Sequence, residues 1–402
     1  MDVSSRSFCA QQLHDRVNED PGSEQEEDMT AVDVASAART EIDTQIDAWV
    51  DATRALTGKI VEERKPWVTH VTEDAIRHFA QGTDDDNPLW TDPVYASKSR
   101  FGAVTAPPSF IFANRYPILH GSPNQAPLAS LIGGVEVEWY LPVKAGDRLT
   151  SEPRQKDFYE KKNKDGRRLN FVISEVTYRN QDQKCVAAAQ GTMIMATQVG
   201  MQTMMEHTIP RYSDADLKKL ERTWKEESRR GGEALQFEDV DVGAPVPPIV
   251  RGPLTIGDMI AWNAAIGPSY KAGRWGYLEL LRAMHTAMVN PVTGFPVKYS
   301  QQHEDFNMAA GRGMPAPFDN GVMRFAWVAP LITNWMGDYG DLVRLSVTVR
   351  RPGLYGDLVT YSGKVTGKDE ARGTVTVEIT GTKQDGSVTT GGQAEVRLLR
   401  RG

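Results

Sequence analysis

FAQGTDDDNPLWTDPVYASKSRFGAVTAPPSF, running from Phe79 to Phe110, decides how the rest of the chain is read. The segment leading into it, TEDAIRHFA, has a helical period: Thr72 suits an N-cap, and Ile76, Phe79 and Ala80 share one face. A polar loop then sets Asp84, Asp85, Asp86 and Asn87 ahead of Pro88. Three adjacent carboxylates repel one another unless they face water or a ligand. Asp92 caps a short turn over Pro93 to Ser97, and a second helix is predicted to start at Pro107 and Pro108, where a missing N–H costs nothing. The stretch therefore places a charged loop beside the positive end of a helix. That combination suits proton transfer next to a site that stabilises an oxyanion.

Asp85-Asp86-Asn87-Pro88-Leu89, with Asp92 following, resembles the D-x-N-P-x-H-x-D signature of the MaoC-like (R)-specific enoyl-CoA hydratases. The resemblance implies a hotdog fold, a long helix wrapped by an antiparallel sheet. It implies that Asp85, paired with a histidine, activates water, and that Asn87 belongs to the same motif. It implies that a backbone N–H at the start of the long helix holds a thioester oxygen. The chain departs from the signature at the histidine, where Trp90 stands. Indole has only a donor and cannot act as a base.

A second copy follows the first. LTIGDMIAWNAA answers VTEDAIRHFA, His303-Glu304-Asp305 answers Trp90-Thr91-Asp92 at an offset of 213, and Pro352 with Gly356-Asp357 answers Pro142 with Gly146-Asp147 at 210. Gln384-Asp385 answers Gln181-Asp182 at 203. An insertion from Pro268 to Gln301, with Tyr277, His285 and NPVTGFP, separates the second copy's first helix from His303. With the resemblance, the repeat gives an α+β fold of two tandem hotdogs in a pseudo-twofold double hotdog. The organisation is an acidic disordered tail over 1–38, a first hotdog over 39–198, a charged helical linker over 199–243 and a second hotdog over 244–402. An amphipathic helix is expected over Thr40 to Leu56. In the second copy FDNGVMRFAWVAPLITNWMGD resembles a long-helix segment, and Pro330 is expected to kink it.

The copies divide the motif between them. The first keeps Asp85 and Asn87 without the histidine; the second has His303, with Lys298 where the aspartate would be. Three readings stand open: catalysis in the second copy by His303 with Glu304 or Asp305 orienting it, catalysis in the first by Asp85 with another partner, or no catalysis in either. Gly102 and Asn320-Gly321, at the helix starts, are candidates for close approach to a thioester, and Arg100 or Arg324 for meeting a phosphate.

Composition narrows the classes. The formal net charge is −7, and the first 40 residues hold nine acids against three arginines, which argues against nucleic-acid binding. Cys9 and Cys185 fit a reducing cytoplasm rather than a disulfide framework. No run of about 18 apolar residues suggests a membrane span. His70, His120, His207 and His285 have no partner at metal-ligand spacing, so no metal is expected. Without a dinucleotide fingerprint or phosphate-binding loop, no cofactor is expected either. The chemistry implied is addition or removal of water across the 2,3 bond of an acyl-CoA or acyl-carrier-protein thioester. A non-catalytic acyl-thioester-binding subunit and a hotdog thioesterase are the alternatives. Exposed sheet edges suggest a homodimer, or a heteromer with another MaoC-like chain.

Overall fold

The computed structural model describes residues 31–62, 65–122, 128–164, 166–197, 206–267, 273–282 and 287–401. They fall in two compact units, Met1–Thr44 and Gln45–Gly402. Most of the expected disordered tail lies outside the described residues. Its last part is helical, because α1 spans Ala31–Arg54 and so begins before Thr40. Within the second unit, Ile46, Trp49 and Val50 are buried, as the period predicts.

The first copy opens with α2 (Glu73–Gly82), whose first turn is capped by the Thr72 side chain accepting from Ala75 N at 3.1 Å. Two short helices follow, α3 (Pro88–Thr91) and α4 (Pro93–Lys98). The helix expected from Pro107 is not long. It is a 3-10 turn over Pro108–Phe110 and one α-turn, α5 (Ile111–Asn114), ending at Arg115 in extended conformation. Pro117 lies two residues on, and the residue before a proline is driven out of the helical region. Four strands complete the copy: β1 (Leu128–Trp139), β2 (Thr150–Lys162), β3 (Arg168–Arg179) and β4 (Cys185–Thr197).

Helix α6 (Asp214–Lys225), closed by a Ser213–Asp216 capping box, precedes β5 (Pro245–Arg251). Helix α7 (Ile256–Ile266) is the counterpart of α2. The insertion holds α8 (Gly273–Leu281) and a hairpin of β6 (Ala287–Val289) and β7 (Pro296–Lys298); His285 lies outside the described residues. Then come a 3-10 turn over Tyr299–His303, α9 (Phe306–Ala310) and α10 (Met323–Met336), continuous through Pro330. Every residue of α10 is buried, the pattern of a helix enclosed on all sides. Strands β8 (Asp341–Val349), β9 (Val359–Asp369), β10 (Thr374–Lys383) and β11 (Val388–Arg397) finish the chain.

The main strands form one nine-stranded sheet in the order β2-β3-β4-β1-β8-β11-β10-β9-β5. Each copy contributes four strands, with β5 added as a fifth at the second copy's edge, and their order is the same read outward from a central antiparallel junction of β1 with β8. There Glu136 faces Ser346, its own counterpart at the repeat offset of 210. A pseudo-twofold axis therefore passes through that pair. The turns repeat atom for atom. Asp147 Oδ2 accepts from Lys144 N at 2.8 Å and Asp357 Oδ2 from Leu354 N at 2.8 Å. Gln181 and Gln384 donate to the other oxygen of each carboxylate, at 3.1 and 3.0 Å. The chain is thus an α+β double hotdog in which only the second copy's central helix, α10, is long. Helices α2 and α7 cross at Gly82, where an added Cβ would lie 2.6 Å from both Ala261 O and Ala265 Cβ. Phe79 and Trp262 meet edge to face beside the crossing.

Candidate active site

The first-copy loop buries one of its three aspartates and leaves two outside. Helix α2 ends with Thr83 N and Asp85 N both donating to Ala80 O, and Asp84 takes the left-handed conformation at φ 55° that aspartate tolerates better than most residues. The reversal turns Asp85 inward, while Asp84 and Asp86 stay exposed. Asp85 Oδ1 accepts from Trp90 Nε1 at 2.8 Å and from Asn87 N at 3.4 Å. The indole thus fills the histidine's place and gives the carboxylate a donor without a base. Burial pushes the Asp85 carboxyl up to about 6, against the lowering pull of the Trp90 N–H and of Arg251. Asn87 caps α3, its Oδ1 accepting from Leu89 N at 3.0 Å.

A buried polar cluster closes over this loop. Arg251 makes a bidentate pair with Glu227, at 2.7 and 3.1 Å, and an ion pair with Asp84 at 3.2 Å. Arg229 reaches from the segment after α6 to Asp86 and to Asn334 Oδ1, and Asn334 donates to Glu227. The first-copy aspartates therefore sit at the C-terminal end of α10.

His303 sits at the other end. Its Nδ1 lies 2.8 Å from Phe318 O, and the two rings meet edge to face. A carbonyl only accepts, so Nδ1 carries the proton and Nε2 is left as the basic nitrogen. Burial holds the imidazole below its ordinary pKa, opposed by the Phe318 carbonyl and the Asp319 carboxylate. Two residues beyond Phe318, Asn320 accepts from Val322 N at 3.1 Å and from the Tyr116 hydroxyl. Gly321 presses on β1, where an added Cβ would lie 2.8 Å from Ile132 Cβ. The fold thus brings His303 together with Asn320 and Gly321 at the start of α10. It keeps them from Asp85 by the length of that helix, roughly 20 Å for 14 residues.

The remaining candidates have structural partners. Asp305 Oδ1 caps α9 at 2.7 and 3.0 Å, as Asp92 caps α4 in the first copy. Glu304 accepts from Asn263 at 2.6 Å. Lys298 lies 3.5 Å from Glu279. Arg324 is wholly buried, tied to Asp319 and to the Arg351 and Thr389 carbonyls, so it meets no phosphate. Arg100 bonds Gly340 O and Asp341 at 2.9 and 2.6 Å. Gly102, at φ 67°, serves a turn with open space around its Cα. Trp262, Trp327 and Trp335 are core, whereas Trp275 is 69 % exposed. Among the described residues no cluster of side chains could hold a metal.

Superposing the repeats in register exposes a second difference. The isolated bridges Thr105–Lys144 and Phe318–Leu354 are counterparts, as are the bonds from Ala106 N to Val143 O and from Asp319 N to Gly353 O. Pro107 and Pro108 therefore stand where Asn320 and Gly321 stand. Proline has no N–H, so the first copy lacks both the imidazole and the donors at the helix start. The offset linking Trp90 to His303, carried forward, reveals this in the sequence alone.

The fold agrees with known structures. A MaoC-like dehydratase superposes with a TM-score of 0.60 at 18% identity, over 86% of this chain and all of that one. A MaoC domain dehydratase from Chloroflexus aurantiacus gives 0.51 at 14%, over 86% and 96%. A Mycobacterium tuberculosis protein described as a double hotdog gives 0.50 at 9%, over 85% and 96%. In sequence, residues 57–189 match the family described as FAS1-like, dehydratase domain region. Residues 57–189 thus carry a dehydratase-type domain, and the chain belongs to the family of the UPF0336 proteins. It is 31% identical over 103 residues to a UPF0336 protein of Streptomyces coelicolor, covering 24% of itself and 67% of that relative. It is 37% identical over 86 residues to one from Streptomyces avermitilis, covering 20% of itself and only 57% of that relative's length. No helix among the described residues is long and apolar enough to cross a membrane.

Proposed function

We propose that the chain hydrates an enoyl thioester, or dehydrates its 3-hydroxyacyl partner, in the second copy. In this reading residues 39–198 and 244–402 are the two hotdogs, and 199–243 joins them. The observation that carries it is the bond from His303 Nδ1 to Phe318 O, which orients a basic Nε2 at the start of α10. His303 takes a proton from water as the oxygen adds to C3, and returns that proton to C2. The Gly321 N–H holds the enolate oxygen meanwhile. One base serving both steps makes the addition syn. The carrier is coenzyme A or an acyl carrier protein.

A second reading has its own support. Lys298 occupies the place of the motif's aspartate, and the first copy has lost base and donors alike. A chain with that history could bind thioesters for a partner MaoC-like chain. The loss of conjugated-thioester absorbance with crotonyl-CoA and octenoyl-CoA separates the two. The hydratase reading expects turnover that falls roughly 10²- to 10⁴-fold in His303→Ala. Binding of both thioesters without turnover would favour the second reading.

A further inference from the structure

Asn320, at the start of α10, has its amide oriented from two sides. Its Oδ1 accepts from Val322 N at 3.1 Å and from the Tyr116 hydroxyl. A backbone N–H only donates, so the amide atom facing Val322 is the oxygen, and Nδ2 is the other end. Both lone pairs of Oδ1 are then in use. Nδ2 has no acceptor among the described residues, and it is not sealed in, since Asn320 is only half-buried. The side chain therefore offers an N–H one residue before the Gly321 N–H, at the end of the helix where His303 sits.

Tyr116 belongs to the other copy. The offset of 213 sets it opposite Ala329, inside α10, so a first-copy helix of full length would have enclosed this position. Helix α5 stops at Asn114 instead, and Arg115 is extended. The residues on either side of Tyr116 are clamped. The Tyr178 hydroxyl donates to Arg115 O at 2.6 Å and Ser174 Oγ to Pro117 O at 2.7 Å, both from wholly buried positions on β3. On β4 an added Cβ at Gly191 would lie 1.9 Å from Pro117 O, so only glycine lets the segment seat there. Three strand residues thus fix the short segment that carries the Tyr116 hydroxyl to Asn320.

We propose that Asn320 Nδ2 is a second donor to the thioester oxygen, and that Tyr116 is the positioning residue that turns it there. The inference rests on the hydratase reading and adds two residues to it. As the water oxygen bonds to C3, the electron pair of the double bond moves toward the carbonyl and its oxygen gains charge. The Gly321 N–H and the Asn320 amide share that charge until C2 takes the proton. An amide free to rotate would present Oδ1 to the enolate half of the time; the Tyr116 hydroxyl removes that choice. The first copy has Pro107 where Asn320 stands, and its shortened helix serves the other copy's site instead of its own.

The test compares Asn320→Ala, Asn320→Asp and Tyr116→Phe in the full chain by two readouts. One is crotonyl-CoA hydration; the other is the infrared carbonyl band of bound octanoyl-CoA labelled with carbon-13 at the carbonyl, which has no double bond to hydrate. The carboxylate of Asn320→Asp can still accept from Val322 N and Tyr116, so it keeps the turn and the melting temperature, but it has no N–H. Both Asn320 variants are expected to lose roughly 10²-fold in kcat, and the carbonyl band should move toward that of the free thioester. Tyr116→Phe should lose roughly tenfold in kcat, with a smaller shift of the band in the same direction. Full activity in Asn320→Asp, or a carbonyl band that none of the variants moves, would leave Asn320 a helix cap and overturn the proposal, with the hydratase reading still standing on His303. A wild type that hydrates nothing, yet polarises the carbonyl and loses that polarisation in Asn320→Asp, supports the donor and sinks the hydratase reading instead.

Discussion

Replacing Asp85 with asparagine should make the protein more stable, and the size of the gain should depend on pH. Burial raises the carboxyl to about 6 in the folded chain, from an ordinary 3.8. Well below pH 3.8, at about pH 2.5, the group is protonated in both states and contributes no difference. As pH rises from 4 to 6 the unfolded chain gives up its proton first, so folding grows steadily less favourable. Above about pH 6 the loss is complete. The gap between 3.8 and about 6, at roughly 1.4 kcal/mol for each tenfold change in proton affinity, amounts to roughly 3 kcal/mol. Asparagine carries no charge, and its Oδ1 can still accept from Trp90 Nε1 and Asn87 N. Some of the gain is offset because hydrogen bonds to a charged acceptor are stronger. Asp85→Asn should therefore unfold in urea with about 1–3 kcal/mol more stability than wild type at pH 7.5, a gain that shrinks steadily as pH falls toward about 3. Crotonyl-CoA hydration should be unaffected, the opposite of what the same change does to a working carboxylate. A variant less stable than wild type at pH 7.5 would refute the reasoning, because it would mean that Arg251 and Trp90 hold the carboxylate charged despite its burial.

The imidazole of His303 sits below its ordinary pKa and must be neutral to act as a base, so the acid limb of kcat/KM should lie below pH 6.5; a limb above it would place the essential base elsewhere. Trp90→His in a His303→Ala background should restore no turnover, since Pro107 and Pro108 still offer no N–H; any hydration above the single variant would show that the dyad alone suffices. Gly82→Ala forces a methyl group into backbone and side chain at 2.6 Å where α2 crosses α7, and should cost about 1–3 kcal/mol in urea unfolding with the active-site residues untouched. Arg324→Met leaves Asp319 buried without its partner and should cost about 3–5 kcal/mol, often enough to prevent folding, as read by soluble yield and circular dichroism.

Much of the fold is legible in spacing. The offset of 210 pairs the turns at Asp147 and Asp357, whose hydrogen bonds prove identical, and the alternation in GGVEVEWYL marks β1. Long-range geometry is less legible. Nothing local in APPSFIFANRYP says that the helix stops after two turns, because the residues from Ser109 to Asn114 have helical propensity and the stop depends on Pro117 and on packing beneath β1. The burial of Asp85 between two exposed aspartates comes from a single left-handed residue, which sequence does not mark. The site is legible only as fragments. The repeat offset singles out His303, but its partner is a backbone carbonyl, which has no signature in sequence. Asp305 resembles a catalytic carboxylate because its motif position matches; the match is to a helix cap shared by both copies. The proline pair misleads because its fitness for a helix start reads as an asset, when the proposed chemistry calls for an N–H donor there that proline lacks.

Glu136 faces Ser346 across the junction, each at the same place in its own copy. In an assembly of two identical chains an axis at that point would make both residues the same, and every substitution would be delivered twice. Loss of a base would then disable both sites at once, and a residue suited to only one side of the junction could never be chosen. Joining the halves in one polypeptide removes that constraint. Trp90 and the proline pair on one side, and the acid–serine mismatch at the centre, are changes that a symmetric pair could not have accepted singly.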